Sequence, residues 1–240
     1  MRKAQEFERD RRESFRGFPE RRPFDPAKAF LHDCNQQAVR DGILALRRGP
    51  IRYRRGAMIA CEGDPADYTY LVFSGVVRSC RAYRDGSRGI VAFHLPRDLF
   101  GWSVGPVHSL SVEAATDTLV VFLKRSVLHD VAMQDNRIAS YLLAATTHEL
   151  QRLQDHSLLL SRPAECRVAT FLIGLSMRLG KTEYLDLPMS HQDIADHLGL
   201  TIETLSRTIT KLEKSGSIER ASCRALVLRN RASLVRKMHR

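Results

Sequence analysis

Glu203, Ser206 and Arg207 crowd into one short stretch near the C-terminal end of this 240-residue chain. Residues three and four apart on a helix share a face, so a carboxylate, a hydroxyl and a guanidinium would stand side by side. That trio lacks a nucleophile–base pair. It suits hydrogen bonding to base edges: arginine can donate twice to guanine O6 and N7, a carboxylate can accept from cytosine N4, and serine can touch thymine. His191, Thr201, Thr204 and Lys211 lie close by in sequence. They are the residue types that bond phosphates, which fix register without reading sequence.

The segment Met189–Arg207, MSHQDIADHLGLTIETLSR, must position these groups. Ser190 is a good N-cap, and Asp193 favours a helix N-terminus. Ile194, Ala195 and Leu198 form one apolar face at helical spacing. Gly199 sits where a tight turn needs positive φ. Leu200 plugs the core, Thr201 caps a second helix, and Leu205, Ile209 and Leu212 face inward. Ile202, Glu203, Ser206 and Arg207 are left pointing out, where a DNA-reading helix-turn-helix makes its groove contacts. Two helices around a glycine also occur in many cores, so the pattern by itself leaves both readings open. The neighbours favour DNA. Ile218–Arg220 and Ala225–Leu228 read as two short strands with Ser222-Cys223-Arg224 as their turn, a small wing. The segment from Arg229 to Arg240 is basic. Residues 162–240 hold fourteen Lys and Arg against eight Asp and Glu, a sign of charge that a phosphate backbone rewards.

The length allows two modest domains. A hydrophobic share of 43% and a charged share of 27% suit a globular protein. The net charge of +11 is unusual and points to nucleic acid, a membrane surface or an acidic partner. No apolar run is long enough for a membrane helix, and the Arg-rich start has no apolar signal region, so a cytoplasmic protein is expected. The five cysteines (Cys34, Cys61, Cys80, Cys166 and Cys223) are scattered without a CxxC pair. That argues against a disulfide framework and a dedicated metal site. No catalytic pairing, metal set or phosphate loop is visible, so no enzyme is expected.

Residues 1–27 read as a charged extension, either a solvated tail or arginines grazing DNA. Between 50 and 125 short apolar runs alternate with glycine turns: Tyr70–Phe73, Val76–Arg78, Gly89–His94 and Leu119–Leu123. Such spacing predicts an antiparallel barrel or sandwich, in a domain drawn over 28–135. A long helix follows over 136–161. Ala139, Leu143, Thr146, Leu150, Leu153, Ser157 and Leu160 recur at alternating four and three, an a/d seam. It packs on its own barrel or on a second copy. At about 36 Å for two dozen residues it outreaches a small roll, which favours the second copy. Pro163 breaks the helix. An amphipathic helix around Val168–Leu179 and a short strand at Leu185–Pro188 then lead into the helix-turn-helix, giving an α+β chain whose last domain is 162–240.

This order resembles the Crp/Fnr family of bacterial transcription regulators over about residues 28–235. The carrying segments are Glu62–Arg78 (EGDPADYTYLVFSGVVR), Phe93–Gly101 (FHLPRDLFG), Leu153–Leu172 (LQDHSLLLSRPAECRVATFL) and Met189–Ile218. The subgroup resembles the FixK-type regulators, which lack a cofactor and control microoxic or nitrogen-oxide metabolism. The resemblance implies an N-terminal cyclic-nucleotide-binding-like β-roll, a long dimerisation helix and a C-terminal winged helix-turn-helix. It implies a homodimeric activator that touches RNA polymerase. Glu203, Ser206 and Arg207 match the family's E-x-x-S-R signature, which implies a palindrome of TTGA-type half-sites. Ile202 stands where the cyclic-AMP-dependent branch carries an arginine.

Trp102 and Ser109-Leu110 stand where a cyclic-nucleotide pocket needs a glutamate and an Arg-Ser pair, so no such ligand is expected. Only Cys34 lies where oxygen-sensing relatives cluster cysteines, so no iron–sulfur cofactor is expected. Leu153 matches their seam aspartate, and an apolar residue there favours a standing dimer. The alternative is a haem- or nitric-oxide-sensing roll, with His94, Cys80 or Cys61 as ligand candidates. The hairpin tip with Arg84, Asp85 and Arg88 is a candidate polymerase contact or a solvated turn. Cys223, between Arg220 and Arg224 in the wing, is a candidate redox thiol or an inert one.

Overall fold

A computed structural model describes residues 48–83, 86, 88–181 and 183–238, all of them within one compact unit. The expected extension, Cys34, Arg84 and Asp85 lie outside the described residues. Eight strands come first: β1 (Arg48–Tyr53), β2 (Met58–Ala60), β3 (Tyr68–Ser74), β4 (Val77–Ala82), β5 (Arg88–His94), β6 (Leu99–Phe100), β7 (Ser111–Ala114) and β8 (Thr118–Lys124). They form two antiparallel sheets, ordered β1-β8-β3-β6 and β2-β7-β4-β5. Register follows the apolar alternation: Tyr70 pairs Phe122 and Val72 pairs Val120. Val72, Phe100 and Val120 from one sheet and Ala60, Val77 and Val112 from the other bury each other. That is the predicted roll. Gly101 makes one corner with φ +83°, and a Cβ there would stand 2.8 Å from a ring carbon of Tyr70, so only glycine fits.

Two helices follow: α1 (Arg125–Gln134) and the 24-residue α2 (Asn136–Leu159). Asp135 caps α2 by accepting from the Arg137 backbone N–H. Ile138 and Tyr141 bury one face of its first turns. The predicted seam lies elsewhere: Leu143 is 70% exposed, Leu150 55% and Leu153 36%. Thr146, Ser157 and Leu160 are exposed with them, and Ala139 is half-buried.

Pro163 ends the connector and starts α3 (Ala164–Arg178). Then come β9 (Tyr184–Asp186), α4 (His191–Leu198), α5 (Ile202–Lys214), β10 (Glu219–Arg220), β11 (Ala225–Val227) and α6 (Arg231–Met238). β10, β11 and β9 form a three-stranded antiparallel sheet, the predicted wing. A second core joins Val168, Leu172, Leu198, Leu205, Leu212 and Leu234 to Phe93 and Ile90 of the roll. Sequence periodicity missed α1 and α6, because each buries a single leucine, Leu128 and Leu234.

His94, which is buried, and His197, which is half-buried, both pack against aromatic core residues. His94 stacks on Phe100 and bonds Ser79 Oγ through Nε2 at 2.8 Å. His197 of α4 donates from Nδ1 to the Ile90 carbonyl at 3.0 Å. Burial pushes the first imidazole down to about 4. Burial, then the neighbouring His156, pushes the second down to about 3. Both folded values lie below the ordinary 6.5. Their contribution to stability is therefore whole above that pH and is lost as the unfolded chain binds protons below it. At roughly 1.4 kcal/mol per histidine per pH unit, unfolding at pH 5.5 should take about 3 kcal/mol less than at pH 7.5 from these two groups. Denaturant titrations of the protein and of His94→Gln measure it; the variant should show about half that pH dependence.

Candidate nucleic-acid interface

Ser190 Oγ accepts from the Asp193 N–H at 3.1 Å, and Asp193 Oδ2 accepts from the Ser190 N–H at 3.3 Å. This capping box starts α4 where the sequence placed its N-cap. Gly199 ends α4 in the left-handed region at φ +60°, which lets the chain turn at once into α5. Arg167 of α3 holds the turn by donating to the Leu198 and Gly199 carbonyls. Thr201 caps α5, accepting from the Thr204 N–H. Alanine at position 199 should lower unfolding free energy by about 1–2 kcal/mol, since a Cβ is strained at positive φ; a denaturant midpoint checks it.

With α5 so placed, Leu205, Thr208, Ile209 and Leu212 are buried. Ile202, Glu203, Ser206 and Arg207 are exposed together. The Glu203 carboxyl is held below its usual range by its own backbone N–H and by the Thr201 hydroxyl, so it stays an acceptor. His191 starts α4 beside the wing, where burial and then Arg220 and Arg224 lower its imidazole. At neutral pH it is an uncharged donor.

Two expected roles meet competitors. The Lys211 ammonium pairs with Glu165 of α3 at 2.6 Å. Arg220 donates to Thr210 at 2.8 Å and faces Glu213, so its guanidinium is engaged by α5; Cys223 in the wing turn is exposed. Arg88 differs more from the sequence expectation. It starts β5 rather than standing free at a hairpin tip, and its guanidinium is directed to Asp193 and Asp196 of α4.

In the roll, Trp102 follows Gly101 with its indole N–H buried and without a partner among the described residues. Arg125 donates to the carbonyls of Ser103, Gly105 and Ala66, so the loop after β6 turns carbonyls toward a cation. Ser109 offers its carbonyl to Arg81, and Leu110 follows it. A cyclic phosphate needs cationic and N–H donors aimed inward. These residues do not fit one. No group of His, Cys, Asp and Glu among the described residues could hold a metal ion, and no described helix is long and apolar enough to cross a membrane.

A β-roll, a long helix with an exposed seam, and a winged helix-turn-helix with an open polar recognition face define a DNA-binding transcription regulator of the Crp type. Residues 50–135 match the cyclic nucleotide-binding domain family and residues 166–237 the Crp-like helix-turn-helix domain family. The chain is 44% identical over 200 residues to the nitrogen fixation regulation protein FixK of Azorhizobium caulinodans, covering 81% of each chain. It is 42% identical to the FixK protein of Rhizobium meliloti over 72% of this chain and 80% of that one. The structure of FixK2 from Bradyrhizobium japonicum superposes with a TM-score of 0.75 at 44% identity, covering 79% of this chain and 96% of the other. The chain belongs to the Crp/Fnr family, in its FixK-like subgroup.

Proposed function

We propose that the chain is a homodimeric activator that reads a TTGA-type palindrome, one half-site per recognition helix, without a cyclic nucleotide or iron–sulfur cofactor. The observation that carries this is the shared exposure of Glu203, Ser206 and Arg207 at the start of α5. His191, Thr201, Thr204 and Lys211 flank that face as phosphate contacts. Lys211 gives up only an exposed ion pair to reach DNA, worth at most about 1 kcal/mol. The proposed bounds are 28–135 for the roll domain, whose residues before 48 lie outside the described residues, 136–161 for the seam helix and 162–240 for the DNA-binding domain. The exposed leucines of α2 support pairing of two copies. The nitrogen-fixation names of the relatives support a role in microoxic, anaerobic or nitrogen-oxide metabolism. Contact with RNA polymerase falls to Arg84 and Asp85, since Arg88 is engaged elsewhere.

The test is anisotropy of aerobically purified protein on a TTGA palindrome and on a scrambled duplex, with its visible spectrum. Tight, selective binding by a colourless sample supports the reading. Weak binding restored by a small molecule overturns the cofactor-free part. A second reading, a roll that senses haem or nitric oxide, has one observation behind it: His94 Nδ1 and Trp102 Nε1 are buried without partners among the described residues. A Soret band in the same sample would favour it. Cys223 is proposed as a redox thiol whose oxidation adds bulk or charge near the phosphates. Peroxide should then weaken DNA binding of the wild type and spare Cys223→Ser; equal sensitivity of the two removes the role.

A further inference from the structure

The connector between the seam helix and the DNA-binding domain is only Leu160–Pro163. The link is held at both ends, Ser161 Oγ donating to the Leu158 carbonyl and Arg167 Nε to the Arg162 carbonyl. Contacts between the domains add to it in aiming α5, and the densest polar ones run from the roll to α4. Arg78 of β4 donates to Asp193 Oδ1 at 2.7 Å, and Arg88 of β5 donates to the same oxygen at 2.8 Å. Arg88 also reaches Asp196 Oδ2 at 3.3 Å. Glu113 of β7 backs both guanidiniums, accepting from Arg78 Nε at 2.9 Å. The Asp193 side chain is 3% exposed. One carboxylate therefore does two jobs: Oδ2 closes the capping box and Oδ1 anchors the helix to the roll.

Arg178 and His197 cross the same boundary, and Arg152 of the seam helix joins the Arg178 cluster. Arg178 of α3 donates to the Phe93 carbonyl at 3.1 Å and pairs with Asp98 of the roll. Arg152 of α2 reaches that aspartate at 3.2 Å. Burial would raise the Asp98 carboxyl, yet Arg178 and Arg152 hold it below the usual range. His197, bonded to Ile90, stacks on His156 of α2 at 4.1 Å.

None of these contacts covers the outward face of α5, so the lock does not occlude the reading surface. We infer that Arg78 and Arg88 are positioning residues for DNA recognition: they clamp α4 to the roll so that the recognition helix is held at the angle a two-half-site operator demands, with no ligand needed to set it. Buried ion pairs contribute little net stability but demand one geometry, which suits this use. Half-sites must lie one helical turn apart, about 34 Å, and each recognition helix has to arrive already aimed. The clamp also neutralises two carboxylates on a helix that lies next to the phosphates.

The inference rests on the palindrome reading above, and the test separates the two. Dimeric protein, Arg88→Gln and Asp196→Asn would be titrated against a palindrome, a single half-site, and palindromes with the half-sites moved one or two base pairs. Polymerase is absent, so a role of Arg88 in activation does not enter. The expected result for Arg88→Gln is an unchanged half-site affinity, a fall of about tenfold or more in the preference for the palindrome, and a flatter dependence on spacing; Asp196→Asn should change the same two readouts in the same direction but by less. A purely structural role would instead weaken half-site and palindrome alike and lower the melting temperature. That pattern, or variants that keep the wild-type preference, would overturn the inference. If the wild type itself shows no preference for the palindrome, the palindrome reading falls and takes this inference with it. Asp196→Asn guards against misfolding of Arg88→Gln, since it leaves both guanidiniums on Asp193.

Discussion

Arg207→Ala is expected to weaken binding to the TTGA palindrome by about 10²-fold or more, with little effect on folding. The side chain is exposed on α5, and the helix beneath it is held by Leu205, Ile209 and Leu212. A bidentate arginine–guanine contact contributes about 1–3 kcal/mol of discrimination. A dimer would lose two of them, and each 1.4 kcal/mol is tenfold. The signature lies in the base dependence. Wild-type protein should discriminate against A·T at the guanine position, and the variant should bind both operators alike. Lys211→Ala is the contrast, because a phosphate contact carries no sequence information. It should weaken all duplexes together and lower the salt slope by about one counterion per contact. If Arg207→Ala behaves like Lys211→Ala, the guanidinium bonds phosphate, and base reading passes to Glu203 and Ser206.

The recognition unit was legible because its signals are local. Ser190, Gly199 and Thr201 each act on backbone groups within a turn or so of themselves, and the apolar faces of α4 and α5 repeat at helical spacing. The roll's longer strands were legible for the same reason. Its shortest strands were not, since β6 spans two residues and carries no alternation to read. What stayed hidden joins distant residues. Arg88 and Asp193 are 105 positions apart, and nothing around Arg88 tells a solvent-facing turn arginine from one that clamps a helix. Asp193 was legible only as a charge at a helix start; that its second oxygen anchors the roll is a property of packing. Lys211 is a similar case, because its partner Glu165 sits on another helix. Sequence spacing located the exposed face of α5, and tertiary contacts decide which nearby charges are already paired within the chain.

The seam carries the other large expected effect. Along α2, Leu143 and Leu150 stand mostly in solvent and Leu153 is about one third exposed, and burying a leucine contributes about 1.5–3 kcal/mol. A symmetric helix pair buries each of them twice. Aspartate at Leu153 would remove that gain from both copies and set two carboxylates facing each other in a desolvated seam, where a like charge nearby is costly. The dimer dissociation constant should rise by about 10³-fold or more, which sedimentation at micromolar concentration would read as a monomer. Because part of position 153 faces solvent in the single chain, the monomer should stay folded, with half-site binding intact and palindrome binding reduced to the half-site level. Leu143→Asp, at the most exposed of the three leucines, should act in the same direction and lies farther from the DNA-binding domain. If both variants sediment as dimers, the two copies meet somewhere other than this face of α2.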